Sequence, residues 1–155
     1  MIYLSYPLSL DTPTYGNGDG SLQIKQVRSL LRGESCNASH WSLSNHLGTH
    51  IDVPHHFFEH GKTITDYPAD FWVFNKVQTV ELSIEQGRWL TWGDLSGQLK
   101  DSTELLLIKT GFGKKRDEQE YWGNNPGLHA ELGLKLREKY KNLKVVGFDF
   151  ISVSR

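Results

Sequence analysis

The sequence is poor in cysteine, has almost no net charge and contains no long apolar run. Cys36 is the single cysteine among 155 residues, so no disulfide can form within one chain, which is typical of the reducing cytoplasm. The 17 basic residues nearly balance the 18 acidic ones, which favours neither nucleic acid nor an anionic membrane as a partner. No stretch approaches the ~18 apolar residues of a membrane span, and the first ten residues lack the basic start of a signal peptide. We therefore expect a soluble cytoplasmic protein.

The length and the aromatic content favour one folded domain over residues 1–155. Five Trp, six Tyr and seven Phe provide enough apolar surface to offset the entropy of ordering the chain. A chain of this length can bury roughly 70% of its unfolded surface without disulfides. Intrinsic disorder is therefore disfavoured.

The last third of the chain predicts a strand, a helix and a second strand. Residues 105–108 and 145–148 are short apolar runs, typical of strands buried on both faces. Between them, Asn125 and Pro126 predict a helix start, and Asn142 predicts its end. The helix has an apolar stripe at a spacing of four, made of Leu128, Leu132, Leu136 and Tyr140. A strand, a helix and a strand form a parallel crossover unit, so we predict an α/β fold.

Elsewhere the sequence predicts shorter elements. Alternation over residues 2–6, before Pro7, predicts a strand, and residues 36–46 predict a strand that leads into a loop. Residues 71–82 have the β-branched and aromatic density of a strand. Thr91 and Asp94 have the spacing of a capping box, which predicts a short helix through about residue 99.

Five of the seven histidines fall between positions 46 and 60, and four residues there suggest a metal site. His46, His50 and Asp52 are good ligands for Zn²⁺ or Mn²⁺, and a carboxylate can also bridge two metals. His56 is suited to be a base beside the metal. The alternative is a histidine-rich surface loop without a metal. The remaining histidines are interpreted as structural: His40, His55, His60 and His129.

The local sequence opposes a regular helix through this segment. Gly48, the β-branched Thr49 and Ile51, and Pro54 all disfavour one. We expect one irregular turn followed by an extended piece, in which Gly48 permits a close approach of the backbone.

The segment from His46 to Phe57, HLGTHIDVPHHF, resembles the HxGTHxDxPxHF signature of the metal-dependent cyclase family, which includes kynurenine formamidases and isatin hydrolases. Further matching segments stand in family order: Pro7–Leu8, residues 12–15, residues 107–111 and residues 146–149. The resemblance implies an α/β domain of the swivelling β/β/α type, with a mixed sheet or small β-barrel and flanking helices. It also implies a homodimer or higher oligomer.

The resemblance assigns roles residue by residue. His46 and His50 are expected to ligate a first metal, and Asp52 is expected to bind it and bridge to a second. His56 is expected to donate and accept the proton, and Tyr15 stands where kynurenine formamidases place a substrate-stacking tryptophan. Phe57 is a further expected substrate contact, and other aromatic residues could line the same pocket or simply pack in the core: Trp41, Phe58 and Trp72.

The resemblance also implies a departure beyond Asp149. Family members supply a further histidine and a glutamate there, whereas no histidine follows His129 in this chain. Two hypotheses follow. The first is a hydrolase that uses Zn²⁺ or Mn²⁺ to activate water against a small amide, formamide, lactam or lactone, and the second is a C-terminally incomplete, non-catalytic or weakly metal-binding portion of such an enzyme. A structural zinc module is disfavoured, because such sites are usually four-coordinate and rich in cysteine.

Overall fold

The computed structural model describes residues 3, 5–15 and 20–154. The chain divides into two compact units, Met1–Gly61 and Lys62–Arg155. The strand predicted over residues 2–6 rests on Ile2 and Leu4, which lie outside the described residues.

The first unit contains one antiparallel pair of strands, β1 (Gln23–Arg28) and β2 (Ala38–Ser42). A bulge between Gln26 and Arg28 shifts the register near the end of β1. The turn between the strands includes a 3₁₀ helix, Leu30–Arg32, which ends at Gly33 in the left-handed region with φ of 79°. The strand predicted over residues 36–46 is thus confirmed as β2, and the loop after it contains the histidine cluster.

The second unit is built on a three-stranded parallel sheet in the order β3–β5–β7. Its strands are β3 (Val77–Glu81), β5 (Leu105–Lys109) and β7 (Val145–Phe148). β5 is central, and Leu106 and Ile108 on it are almost fully buried. The helix α3 (Ala130–Lys139) connects β5 to the parallel β7, which confirms the predicted crossover and the α/β class.

Both ends predicted for this helix were wrong, since α3 begins at Ala130 and ends at Lys139, before Asn142. Gly127–Leu128 form a two-residue strand, β6, which pairs in parallel with β4 (Trp89–Leu90), so Leu128 lies in a strand rather than in a helix. His129 then caps α3, because its Nδ1 accepts a hydrogen bond from the backbone N–H of Glu131. The last three members of the predicted stripe are buried as expected: Leu132, Leu136 and Tyr140.

Two other boundaries also differ from the predictions. Residues 69–72 form a 3₁₀ helix, so the strand predicted over residues 71–82 begins only at Val77. The predicted capping box at Thr91 and Asp94 is confirmed, but its helix, α1 (Trp92–Leu95), ends before residue 99. A further short helix, α2 (Gln119–Gly123), was not predicted.

The core of the second unit lies between the parallel sheet and its helices. The buried apolar residues of this core include Leu90, Leu95, Leu106, Leu132 and Phe150. In the described part of the chain the strands form three separate sheets of two, three and two strands, so the barrel implied by the resemblance is not formed. No helix of that part is long and apolar enough to cross a membrane.

The carboxylate of Asp149 connects the ends of two neighbouring strands of the parallel sheet by hydrogen bonds. Asp149, directly after β7, accepts hydrogen bonds from the backbone N–H and hydroxyl of Thr110 at 2.8 and 2.6 Å. Its second oxygen accepts from the backbone N–H of Gly111 at 2.7 Å. Asp149 therefore ties the ends of β5 and β7 together.

Candidate metal centre

The predicted ligands lie on an irregular loop of the first unit, after β2. Leu47 is buried, and Gly48 follows in the left-handed region with φ of 68°. Pro54 then begins a 3₁₀ helix, Pro54–His56, with its fixed φ in the first turn. The expectation of an irregular turn instead of a regular helix is thus confirmed. Gly48 and Pro54, on either side of Asp52, prevent a regular helix through the segment.

Three side chains of this loop bring one ligand atom each to a common point. Nδ1 of His46 lies 3.1 Å from Nε2 of His50 and 3.1 Å from Oδ1 of Asp52. The third edge of the triangle, from Nε2 of His50 to Oδ1 of Asp52, is 3.6 Å. Among the residues that the structure describes, this is the one group of three or more such side chains that could hold a metal ion.

The dimensions of this triangle fit a divalent metal. Metal–ligand bonds of about 2.1 Å at angles between octahedral and tetrahedral values separate neighbouring ligand atoms by about 3.0–3.4 Å. Two edges of the triangle lie in this range, and the third, at 3.6 Å, is slightly longer. The equidistant point in the plane of the three atoms lies about 1.9 Å from each, so a metal slightly out of that plane would have bonds of about 2.1 Å. Two imidazole nitrogens and one carboxylate oxygen are also the donor set of catalytic zinc sites.

The ring of His50 is oriented for binding by its second nitrogen. Nδ1 of His50 lies 2.8 Å from the carbonyl oxygen of Gly48, which can only accept a hydrogen bond. Nδ1 therefore donates, and in the neutral ring Nε2 keeps its lone pair toward the triangle. This is the outer-shell contact that commonly fixes the tautomer of a metal-binding histidine.

The triangle is open to solvent. The side chains of His46, His50 and Asp52 are 31%, 28% and 38% exposed. A metal ion bound there would have coordination positions open to water or to a small substrate, as in catalytic metal sites rather than in closed structural ones.

His56 and Phe57 extend the cluster by ring contacts. The rings of His46 and His56 lie with their centroids 4.2 Å apart, and Phe57 meets His56 edge to face at 4.4 Å. His56 is therefore beside the triangle without belonging to it. Phe57 is more than half exposed, and so is Tyr15, which makes no ring contact with these residues.

Two supporting residues were missed by the sequence reasoning. Asn45 places its amide nitrogen 3.2 Å from Nε2 of His46. Gly61 packs so closely against the 3₁₀ helix before it that an added Cβ would lie 2.4 Å from the carbonyl carbon of Pro54. No fixed sequence spacing predicts either contact, although a glycine shortly after the histidine segment could have indicated a close approach.

The chain belongs to the family described as "Putative cyclase", whose family model matches residues 2–155. Membership confirms the resemblance that the histidine segment indicated. The residues that the family model matches include both units of the chain.

Among characterised and uncharacterised relatives, the similarity extends along most of this chain. It is 29% identical to kynurenine formamidase of Bacillus cereus over 152 residues, which cover 98% of this chain and 69% of the relative. The kynurenine formamidase of Bacillus anthracis is 28% identical with the same coverage. An uncharacterized protein of Haemophilus influenzae is 30% identical over 112 residues, or 70% of this chain and 79% of the relative. The family and these relatives support a hydrolase of the cyclase family.

Proposed function

We propose that this protein is a metal-dependent hydrolase that acts on the carbonyl of a small amide, formamide, lactam or lactone. The observation that supports this most strongly is the convergence of His46 Nδ1, His50 Nε2 and Asp52 Oδ1 at metal-ligand spacing. The similarity to kynurenine formamidases, which are named for cleaving a formamide, supports the substrate class.

In this proposal the three converging residues hold Zn²⁺ or Mn²⁺. When bound, such a metal acts as a Lewis acid that makes water nucleophilic near neutral pH. In a site with two metals, Asp52 would hold both of them, whereas His46 and His50 would hold the first.

His56 transfers the proton in the proposed reaction. Its ring lies beside that of His46, with the two ring centroids 4.2 Å apart, so it is next to the triangle without belonging to it. Attack on the carbonyl releases a proton from water, and expulsion of the amine or alkoxide consumes one, so a single imidazole can serve both steps. Phe57, edge to face with His56, restricts that ring and offers an apolar surface to a flat substrate, with Tyr15 as the second proposed substrate contact.

The test is turnover of a substrate panel by purified protein loaded with Zn²⁺ or with Mn²⁺. The panel contains an N-formyl aniline, a lactam and a lactone of similar size. We expect His56→Ala to lower kcat by a factor of about 10²–10⁴, because it removes the general acid and base. His55→Ala is the matched control, because His55 is exposed on the same 3₁₀ helix, and it should retain activity.

Full activity of His56→Ala would contradict the assigned role. Metal binding without turnover of any panel member would instead favour the alternative, a metal-binding protein that is not a catalyst.

We also propose a cytoplasmic homo-oligomer, as the family resemblance and the exposed free thiol of Cys36 suggest. Light scattering on the purified full chain tests the assembly, and a monomer at micromolar concentration would contradict it.

A further inference from the structure

Asn45 contacts the one nitrogen of His46 that faces away from the metal-ligand triangle. Its Nδ2 lies 3.2 Å from Nε2 of His46, while Nδ1 of the same ring faces His50 and Asp52. The two nitrogens of one imidazole thus have different partners, and the partner of Nε2 helps to decide which of them has the proton.

The hydrogen bonds of the metal-free loop place that proton on Nδ1. Nε2 of His50 has a lone pair, because Nδ1 of His50 donates to the carbonyl of Gly48. Oδ1 of Asp52 also accepts. Nδ1 of His46 lies 3.1 Å from both acceptors, so the N–H that joins the three groups belongs to His46. Nε2 of His46 then has the lone pair and accepts from the amide of Asn45.

Binding of a metal requires the opposite arrangement in His46. A metal at the triangle takes the lone pair of Nδ1, so a neutral ring must have its proton on Nε2. That N–H needs an acceptor, and an asparagine amide provides one when it rotates by half a turn and presents Oδ1. Asn45 can therefore satisfy Nε2 in either tautomer without moving its backbone.

We propose that Asn45 is a positioning residue of the metal centre, which donates to Nε2 of His46 in the metal-free protein and accepts from it in the metal-bound protein. The inference rests on the proposed metal-binding function. Asn45 orients the ring and adapts to its tautomer, and it touches neither metal nor substrate. Outer-shell partners of this kind typically change metal affinity by 10–100-fold when they are removed.

The experiment is Zn²⁺ titration of the full chain by calorimetry against a competing chelator. Asn45→Ala should weaken binding about tenfold, at the lower end of the usual range because the contact is exposed. Asn45→Asp should retain at least the wild-type affinity, because a carboxylate accepts from Nε2–H. Ser44→Ala is the matched control, since the hydroxyl of Ser44 accepts a hydrogen bond from the backbone N–H of His46 and not from its ring. The Zn²⁺ affinity of this variant should stay within about twofold of the wild-type value.

A spectroscopic measurement separates positioning from loop stability. The ¹⁵N shifts of the His46 ring should report the proton on Nδ1 in the metal-free wild type and on Nε2 after Zn²⁺ is added.

Equal Zn²⁺ affinity of the wild type and Asn45→Ala would overturn the inference and leave the proposed function intact. A metal-free wild type with its proton on Nε2 would overturn it as well. If the wild type binds Zn²⁺ no better than His50→Ala, the metal site itself fails, and the role of Asn45 fails with it.

Discussion

The imidazole of His50 donates a hydrogen bond from Nδ1 to the carbonyl oxygen of Gly48, two residues earlier, over 2.8 Å. This contact connects the conformation of a glycine to the chemistry of a ligand. Gly48 has a φ of 68°, a left-handed conformation that glycine adopts readily, and its carbonyl in that conformation accepts from the ring. The glycine of the histidine segment therefore helps to orient the ligand that follows it.

Replacing Gly48 by alanine tests this connection. A left-handed alanine costs about 1–2 kcal/mol, although the added Cβ itself would make only ordinary contacts with Leu8 and Thr12 at 3.5 and 3.6 Å. We expect Gly48→Ala to lower the free energy of unfolding by that amount and to weaken Zn²⁺ binding, as measured by urea denaturation and calorimetry.

Gly33→Ala is the matched control for Gly48→Ala. Gly33 is also left-handed, with φ of 79°, and open space surrounds the position of its Cβ. It should show a similar loss of stability with unchanged Zn²⁺ affinity. Equal loss of metal binding in both variants would show that stability alone, and not the carbonyl of Gly48, governs the site.

Gly61 should be intolerant of any side chain because it packs against the turn that contains His56. An alanine Cβ would lie 2.4 Å from the carbonyl carbon of Pro54 and 2.6 Å from the nitrogen of His55, so the backbone must shift. Such overpacking typically costs 1–3 kcal/mol, and we expect Gly61→Ala to reduce both the free energy of unfolding and kcat.

The control for Gly61→Ala is Gly133→Ala on helix α3, where nothing lies within 4 Å of the added Cβ. Alanine there should stabilise the protein by up to about 1 kcal/mol, because it is the better helix former. Urea unfolding curves and turnover of both variants measure the free energy of unfolding and kcat. An unchanged kcat in Gly61→Ala would show that the turn tolerates the shift.

Asp94 should make stability depend on acid pH. Burial opposes ionisation of this carboxyl group, but hydrogen bonds from the backbone and hydroxyl of Thr91 and from Arg88 outweigh it and hold the pKa of Asp94 below its ordinary value of 3.8. Because the folded pKa is the lower one, the stabilisation is fully present above pH 3.8 and is lost as the pH falls through the folded pKa.

Asp94→Asn should therefore be less stable than the wild type at pH 7, and the difference should shrink at lower pH. Urea denaturation at pH 7, 4 and 3 measures this. Asp101→Asn, which replaces an exposed carboxylate in the same unit, is the control. A stability gap for Asp94→Asn that is constant across these pH values would contradict the assignment.

The parts of the fold that the sequence predicted correctly depend on local patterns. The apolar run of β5 and the stripe of α3 are visible in the local sequence, and most of their residues are buried as expected. The strand β6 was missed because Gly127–Leu128 are held by pairing with Trp89–Leu90, about 38 residues earlier, which no local pattern indicates. β1 was missed because all six of its residues are exposed, so its sequence lacks the alternation of a half-buried strand.

The candidate site also has residues that a local sequence pattern predicts and residues that it does not. Its ligands follow a spacing that the sequence displays, so His46, His50 and Asp52 could be named in advance, and the structure brings them together. Asn45 and Gly61 act through contacts that depend on the path of an irregular loop. Such contacts follow from three-dimensional geometry, and neither residue type is specific enough to predict them.

The function proposed for this chain requires that His46, His50 and Asp52 hold a divalent metal. The first test is elemental analysis of purified protein, together with its intact mass and with His50→Ala prepared in parallel. We expect at least one Zn²⁺ or Mn²⁺ per chain in the wild type, two when the site is complete, and a loss of metal in His50→Ala. Wild-type protein that contains no metal after incubation with either ion and removal of the excess would contradict it.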